Sequence, residues 1–189
     1  MVMLTGDDLN SLGINIRGEG IRISDKASLY GPERIFVGAN TRIDDFCVIS
    51  AGLGGITLGS FVHIAVGCAL IGEGEIILED FSGLSGRVSV YSSSDDYSGL
   101  SLTNPTVPGK FRKVDSRPVR IGRHVIVGAG AVILPGVNIG AGAAVGALSL
   151  VTRDVPPGVI VAGSPARPIS KRSANVFVLE KQLQDDGFV

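Results

Sequence analysis

From residue 37 onward, aliphatic side chains recur at every sixth position in groups of three. The groups are Val37, Ile43, Ile49; Leu58, Ile64, Leu70; Leu78, Leu84, Val90; Ile121, Val127, Ile133; and Ile139, Val145, Val151. The residue that follows is often Gly or Asp, as at Gly38, Asp44, Gly59 and Gly128. Four places after the aliphatic the side chain is usually small, as at Thr41, Cys47, Cys68, Ser82, Ala131 and Ser149. A period of six does not fit a 3.6-residue helix, and glycine at this frequency opposes one. Each hexad instead predicts a very short strand closed by a tight corner. The aliphatic points inward, its neighbours outward, and the small residue inward beside the corner, where little room remains. Three such strands make a triangular turn, and successive turns stack in parallel as in other solenoids.

The spacing between turns locates the irregularities. Val37 to Leu58 spans 21 residues, Leu58 to Leu78 spans 20 and Ile121 to Ile139 spans 18, whereas Leu78 to Ile121 spans 43. One corner, after Val90, therefore carries a long polar, proline-bearing excursion over residues 91–118. Loops of that length in a compact domain are usually functional. The expected organisation is an N-terminal cap with a partial turn over 1–34 (around Ile23 and Leu29), a coil over 35–165 that contains the loop, and a tail over 166–189. In the tail, "SANVFVLEKQLQ" predicts a closing helix with Ser173 as its N-cap.

Composition narrows the class without changing this picture. Lys+Arg 17 against Asp+Glu 18 leaves no electrostatic footprint for nucleic acid or an anionic membrane. No apolar run reaches the length of a membrane span, and the N-terminal segment meets Asp7 before a signal peptide could form, so a cytoplasmic protein is expected. Glycine at 27, no Trp and 5% aromatics fit a core of Ile, Val, Leu and Ala divided among many short units. Cys47 and Cys68 both occupy the small inward position and read as core filler, not as a disulfide framework.

The segment "IGRHVIVGAGAVILPGVNIGAGAAVGALSLVTRDVPPGVIVAGSPARPI" closely resembles the C-terminal coils of hexapeptide-repeat acyltransferases of the galactoside, maltose and xenobiotic acetyltransferase kind. The likeness is specific over 119–170 and weaker over 35–90. It implies an all-β fold: a left-handed parallel β-helix in the form of a triangular prism, with one long excursion loop and a short C-terminal helix. It further implies a homotrimer with active sites in the grooves between prisms, and acetyl-CoA as co-substrate, with no metal. Carried over motif by motif, it places Ala129 and Ala147 against the pantetheine arm. Thr152, Arg153 and Arg167 fall near the nucleotide and its phosphates, where a guanidinium suits phosphate oxygens.

Acetyl transfer needs an acceptor nucleophile, a group to take its proton and donors for the developing oxyanion. In the galactoside and maltose branch the catalytic histidine lies in the polar segment after the middle coils; here "SVYSSSDDYSGLSLTNPTVP" has none. Only His63 and His124 remain. Alternation turns His63 outward onto a flat face, and a similar His occurs in amino-sugar acetyltransferases, so His63 is the candidate base. His124 falls at a corner and reads as structural. In the loop, Asp96 is the candidate to orient an imidazole or an acceptor ammonium, with Asp95 and Asn104 near the acceptor. "KFRK" at 110–113 is available to a phosphate or to solvent. The missing loop histidine tilts toward an amino sugar, which needs less help than a hydroxyl, although N- and O-acetylation both stay open. The expected activity is therefore acetyl transfer to a sugar, sugar nucleotide or glycan, as in surface polysaccharide synthesis. A small-molecule or sugar-nucleotide acceptor is the partner expected, with neither nucleic acid nor a membrane span. The alternative is a non-catalytic β-helix that serves as an assembly surface. Zinc-dependent carbonic anhydrases share the coil, but their site needs three imidazoles where one chain has two.

Overall fold

The computed structural model describes residues 2–187. The six-residue beat becomes a three-faced coil of short parallel strands. The first face stacks Asn15–Arg17, Ile35–Gly38, Ile56–Leu58, Ile76–Leu78, Val119–Ile121 and Asn138–Ile139. The second stacks Arg22–Ile23, Arg42–Ile43, His63–Ile64, Gly83–Leu84, Ile126–Val127, Ala144–Val145 and Val159–Ala162. The third stacks Ser28–Tyr30, Val48–Ala51, Ala69–Gly72, Ser89–Tyr91, Val132–Ile133 and Leu150–Val151. Register is strict: Val37 pairs Leu58, Leu58 pairs Leu78, Leu78 pairs Ile121 and Ile121 pairs Ile139. Each aliphatic of the repeat thus sits on the one before it, fully out of water, and the column is the core. Burying one such side chain is worth about 1.5–3 kcal/mol.

The small inward residues line the corners. Thr41 donates its hydroxyl to the Gly59 carbonyl at 2.7 Å and accepts from the Val62 amide at 3.2 Å, so this buried polar group is satisfied. Cys47 and Cys68 are buried free thiols that donate to the carbonyls of Ala65 and Ser85, each at 3.1 Å.

The coil starts earlier than the sequence suggests. Asn15–Arg17, Arg22–Ile23 and Ser28–Tyr30 form a full turn within 1–34, not a partial one. Ile16 pairs Val37 and Ile23 pairs Ile43. The beat is hidden there because the corner between Ile16 and Ile23 holds one residue more than a hexad. Helix α1, Gly6–Leu12, covers this end with Leu9 buried. Its N-cap Thr5 forms a capping box: the Asp8 amide donates to the Thr5 hydroxyl at 3.1 Å, and the Thr5 amide donates to the Asp8 carboxylate at 2.8 Å.

At the other end Arg167–Lys171 folds back antiparallel on Val159–Ala162. The closing helix α2 spans Asn175–Asp185. Its N-cap is Ala174, one residue past the expected Ser173, whose hydroxyl still accepts from the Asn175 amide at 3.2 Å. No helix among the described residues is long and apolar enough to cross a membrane.

Candidate active site

Two regions depart from the bare repeat, and they lie on different parts of the prism. The first is on the second face, where Arg42, His63 and Gly83 are successive outward residues in register. Asp44, almost buried, aims its carboxylate at the first two. Its Oδ1 accepts from Arg42 Nε at 2.6 Å, and its Oδ2 lies 3.0 Å from His63 Nε2. Burial acts to raise the Asp44 carboxyl, but the hydrogen bonds from Arg42 and His63 outweigh it and hold the group below the usual carboxylate range. An ionised carboxylate only accepts, so His63 Nε2 is the donor of this bond, and Nδ1 is the ring nitrogen left for other partners. The imidazole is 52% exposed. It borders a shallow notch of about 290 Å³ walled also by Ala65, Gly83, Ser85, Gly86 and Ile126.

The second region is the corner between the third and first faces, where residues 91–118 leave the coil. They form an ordered hairpin: Ser93–Asp95 pairs antiparallel with Val114–Ser116, and Leu102 bridges to Arg112 above a 3₁₀ turn at Gly109–Phe111. The hairpin has a cavity on each side. That toward the N-terminal turns measures about 830 Å³ and is walled by Arg34, Glu73, Asp95 and Arg112 among others. The one toward the C-terminal turns measures about 890 Å³ and includes Asp95, Asp96, Lys113, Arg117 and Thr152. Arg112 is extended, so it and its neighbour Lys113 diverge, one to each cavity. The Arg112 Nε is enclosed and meets no acceptor among the described residues.

The expected residues fall as follows. Asp95, Asp96 and Thr152 share the larger cavity. Asp96 is already committed: its carboxylate accepts from the Ser98 amide and the Ser101 hydroxyl, each at 2.8 Å, and those bonds pull its pKa down to about 2. Asp95 accepts from the Asn104 amide at 3.2 Å. The Asn104 side chain is turned to Thr106, whose amide donates to it at 3.1 Å. His63 lines neither hairpin cavity, so one chain does not unite it with Asp96. Ala129 and Ala147 are exposed on successive turns at the corner between the second and third faces, where the Leu148 amide donates to the Ala129 carbonyl at 2.9 Å. Arg153 is exposed beside Thr152, and Arg167, also exposed, donates to the Ala166 carbonyl at 2.8 Å.

His124 does something else. It stacks on Phe81 with ring centroids 5.0 Å apart, meets Phe177 of α2 edge-on, and lies 2.6 Å from Glu180 Oε2. Burial, with Arg123 and Arg172 nearby, pushes its pKa below the ordinary value. The ring fastens the closing helix to the coil.

Asp44 is the partner of His63 that the hexad pattern alone does not single out, although turn arithmetic points to it. Arg42 and His63 are 21 residues apart, the same interval as Val37 and Leu58, so Asp44 must lie just beyond the residue beneath the imidazole.

With this geometry in hand, comparison with known proteins is specific. A family model described as bacterial transferase hexapeptide (six repeats) matches residues 118–153. The dTDP-4-amino-4,6-dideoxy-D-glucose acyltransferase of Escherichia coli is 46% identical over 180 residues, 95% of this chain and 94% of that protein. The chain belongs to the hexapeptide-repeat acyltransferases. The galactoside O-acetyltransferase of Escherichia coli K12, from the branch the sequence resembles, matches only 37% of this acyltransferase, at 45% identity. Among solved structures, AntD, an N-acyltransferase from Bacillus cereus in complex with dTDP and 3-hydroxybutyryl-CoA, superposes with a TM-score of 0.93. It is 38% identical and covers 99% of this chain and 98% of its own. A variant of the same protein, bound to dTDP-4-amino-4,6-dideoxyglucose and coenzyme A, gives 0.92 over 97% of both chains.

Proposed function

We propose that this acyltransferase moves an acyl group from coenzyme A to the amine of a dTDP-linked 4-amino-4,6-dideoxy sugar, with acetyl the smallest group it transfers. The pattern of charge around the hairpin carries this reading. A neutral galactoside needs no charged partner, whereas an amino-sugar nucleotide presents a pyrophosphate and an ammonium together. The cavity with the unpaired Arg112 Nε is lined also by Arg34, whose guanidinium donates to the Ala51 and Gly52 carbonyls, and by the carboxylates of Asp95 and Glu73. A guanidinium takes phosphate oxygens and a carboxylate takes the ammonium. Relatives that match nearly the whole chain bind or act on such a sugar nucleotide.

In the chemistry we infer, the neutral amine nitrogen attacks the thioester carbonyl carbon. The C–N bond forms, the C–S bond breaks, and coenzyme A leaves as its thiolate. The acceptor ammonium gives its first proton to solvent to become that neutral amine; as the C–N bond forms, His63 accepts at Nδ1 the second proton that the nitrogen sheds, while its Nε2–H stays hydrogen-bonded to Asp44. Asp95 positions the acceptor, whereas Asp96, held ionised by Ser98 and Ser101, shapes the loop and is a weak base. Thr152, Arg153, Arg167 and Lys113 are assigned to the donor nucleotide, and Ala129 and Ala147 to its pantetheine.

These residues lie on different edges of one prism, so the reading requires a second copy. Leu53, Tyr97 and Leu100 are exposed at 86%, 94% and 91% on the hairpin edge, and Phe46, Val66 and Leu148 are exposed on the edge between the second and third faces. Exposed apolar clusters of this kind mark interfaces. Joining the two edges head to tail closes a ring, and we assign a homotrimer in which the hairpin of one subunit reaches the His63 face of the next. Both substrates are drawn from cytoplasmic pools, where we place the enzyme.

The test is release of free coenzyme A thiol from acetyl-CoA, measured over dTDP-4-amino-4,6-dideoxyglucose and plain galactosides. Release with the amino sugar nucleotide alone supports the assignment. Release with the galactosides alone overturns it.

A further inference from the structure

Most glycines of this coil have a steric reason to be glycine. A Cβ on Gly128 would come within 2.4 Å of the Ala147 amide nitrogen, and one on Gly38 within 2.5 Å of the Gly59 backbone. Gly83 is different. It is the first residue of the short strand Gly83–Leu84, its φ is not in the left-handed region, and a Cβ built on it meets nothing within 4 Å. Gly38 and Gly72, the other strand glycines, are both crowded, Gly72 by Ser92 at 2.3 Å. Glycine within a strand weakens it, so the fold alone gives no cause for this one.

Its surroundings do. The outward column of the second face runs Arg22, Arg42, His63, Gly83, Ile126, Ala144, and Gly83 is the single position there with no side chain at all. The gap it leaves is the floor of the notch beside His63. Among that notch's walls His63 is the only titratable group and Ser85 the only hydroxyl; Ala65 and Ile126 are apolar. Such a lining suits neither a phosphate nor a sugar ring, each of which needs several polar partners. It suits a short, mainly apolar chain attached to the atom that reacts at His63.

We propose that Gly83 sets the size of the acyl group this enzyme transfers, its missing side chain making room for carbons beyond the acetyl methyl. The assignment rests on the reading that His63 marks the site of acyl transfer. Filling the notch from below shortens the chain that fits and leaves the thioester and the acceptor where they were.

The experiment compares wild type, Gly83→Ala and Gly83→Val with acetyl-CoA and 3-hydroxybutyryl-CoA as donors and dTDP-4-amino-4,6-dideoxyglucose as acceptor. The readouts are kcat/KM for each donor and Tm. The expected result is a fall in the hydroxybutyryl-to-acetyl ratio of about threefold for alanine and tenfold or more for valine, with Tm unchanged or raised in Gly83→Ala because the Cβ enters open space. An unchanged ratio in both variants, or an equal loss with both donors, overturns the proposal while leaving the acyltransfer reading intact. A clear drop in Tm for Gly83→Ala overturns it too, since the glycine would then serve the fold. Absence of transfer by the wild type from either donor overturns the acyltransfer reading, and this inference with it.

Discussion

Arg112 offers a test in which stability and affinity move in opposite directions. Its Nε is enclosed in the wall of the hairpin cavity with no acceptor among the described residues. A buried donor left unpaired costs about 1–3 kcal/mol, because its hydration is lost without replacement. Arg112→Met keeps most of the aliphatic stem and removes the donor. The free protein should therefore gain about 1 kcal/mol, which for a chain of this size raises Tm by roughly 2–4 °C. On the function proposed above, the same substitution removes a charge-assisted bond to the nucleotide, worth about 1.5–3 kcal/mol. At about 1.4 kcal/mol per decade, KM for the dTDP-sugar should rise roughly ten- to hundredfold.

Differential scanning fluorimetry of the unliganded protein and initial rates over the acceptor concentration measure both quantities. KM for the acyl-CoA should stay within twofold, since Arg112 borders the N-terminal cavity and Lys113 the other. Lys113→Met is the mirror control and should raise KM for the acyl-CoA alone. A lower Tm with unchanged KM for the sugar nucleotide would refute the reasoning. It would make Arg112 a structural cation that holds the hairpin.

Further outcomes follow from the same geometry. His63→Ala should lower kcat by about 10²–10⁴ with little change in Tm, whereas His124→Ala, which removes the contacts to Phe81, Phe177 and Glu180, should keep activity per folded molecule and lose about 2–4 kcal/mol of stability. The reverse pattern sinks the assignment of His63. Asp44→Asn cannot accept from both Arg42 and His63, so kcat should fall at least tenfold, and an unchanged pH–rate profile would count against Asp44 as a positioning residue. Because His124 is held below its ordinary value of about 6.5, the unfolded chain binds more protons than the folded one as pH drops through that value. Stability should therefore fall on acidification, as read by urea midpoints from pH 7.5 to 5, and His124→Gln should flatten the dependence. Tyr97→Asp with Leu100→Asp should shift sedimentation toward the monomer and abolish transfer, and a fully active monomer would exclude a shared site.

The coil was legible because its core is a column of single residues. Each inward aliphatic pairs with its counterpart one turn away, so a missing beat at any point would have exposed a hole. The first turn escaped because one additional corner residue between Ile16 and Ile23 disturbs the rhythm without disturbing the pairing. Outward residues obey no such rule. His63 was found because histidine is rare here, but Asp44 is one acid among many corner acids, and only the register identifies its partner. Asp96 was marked for its charge, yet its two oxygens are consumed by Ser98 and Ser101, local bonds that sequence does not distinguish from a free carboxylate. "KFRK" offers three cations with nothing in the sequence to rank them. Folding ranks them: Lys110 covers the Phe111 ring, Arg112 is enclosed and Lys113 faces the other cavity.

A coil this regular supplies three flat faces and three corners that repeat from turn to turn. Function has to come from departures, and this chain makes three of different kinds. Residues 91–118 add a wall, and the wall divides one corner into two cavities that each receive a cation from neighbouring residues. Asp44 and His63 add a hydrogen-bonded pair to the second face, between the outward arginines and the aliphatic end of that column. Gly83 subtracts a side chain where packing would accept one. The wall and the pair are on different parts of one prism, so neither completes a reaction centre in a single chain. In the trimer we propose, a second prism stacked against the first brings wall to pair without changing a hexad. On these proposals the repeat remains strict in the core while specificity is adjusted at the hairpin for the acceptor and at one glycine for the donor.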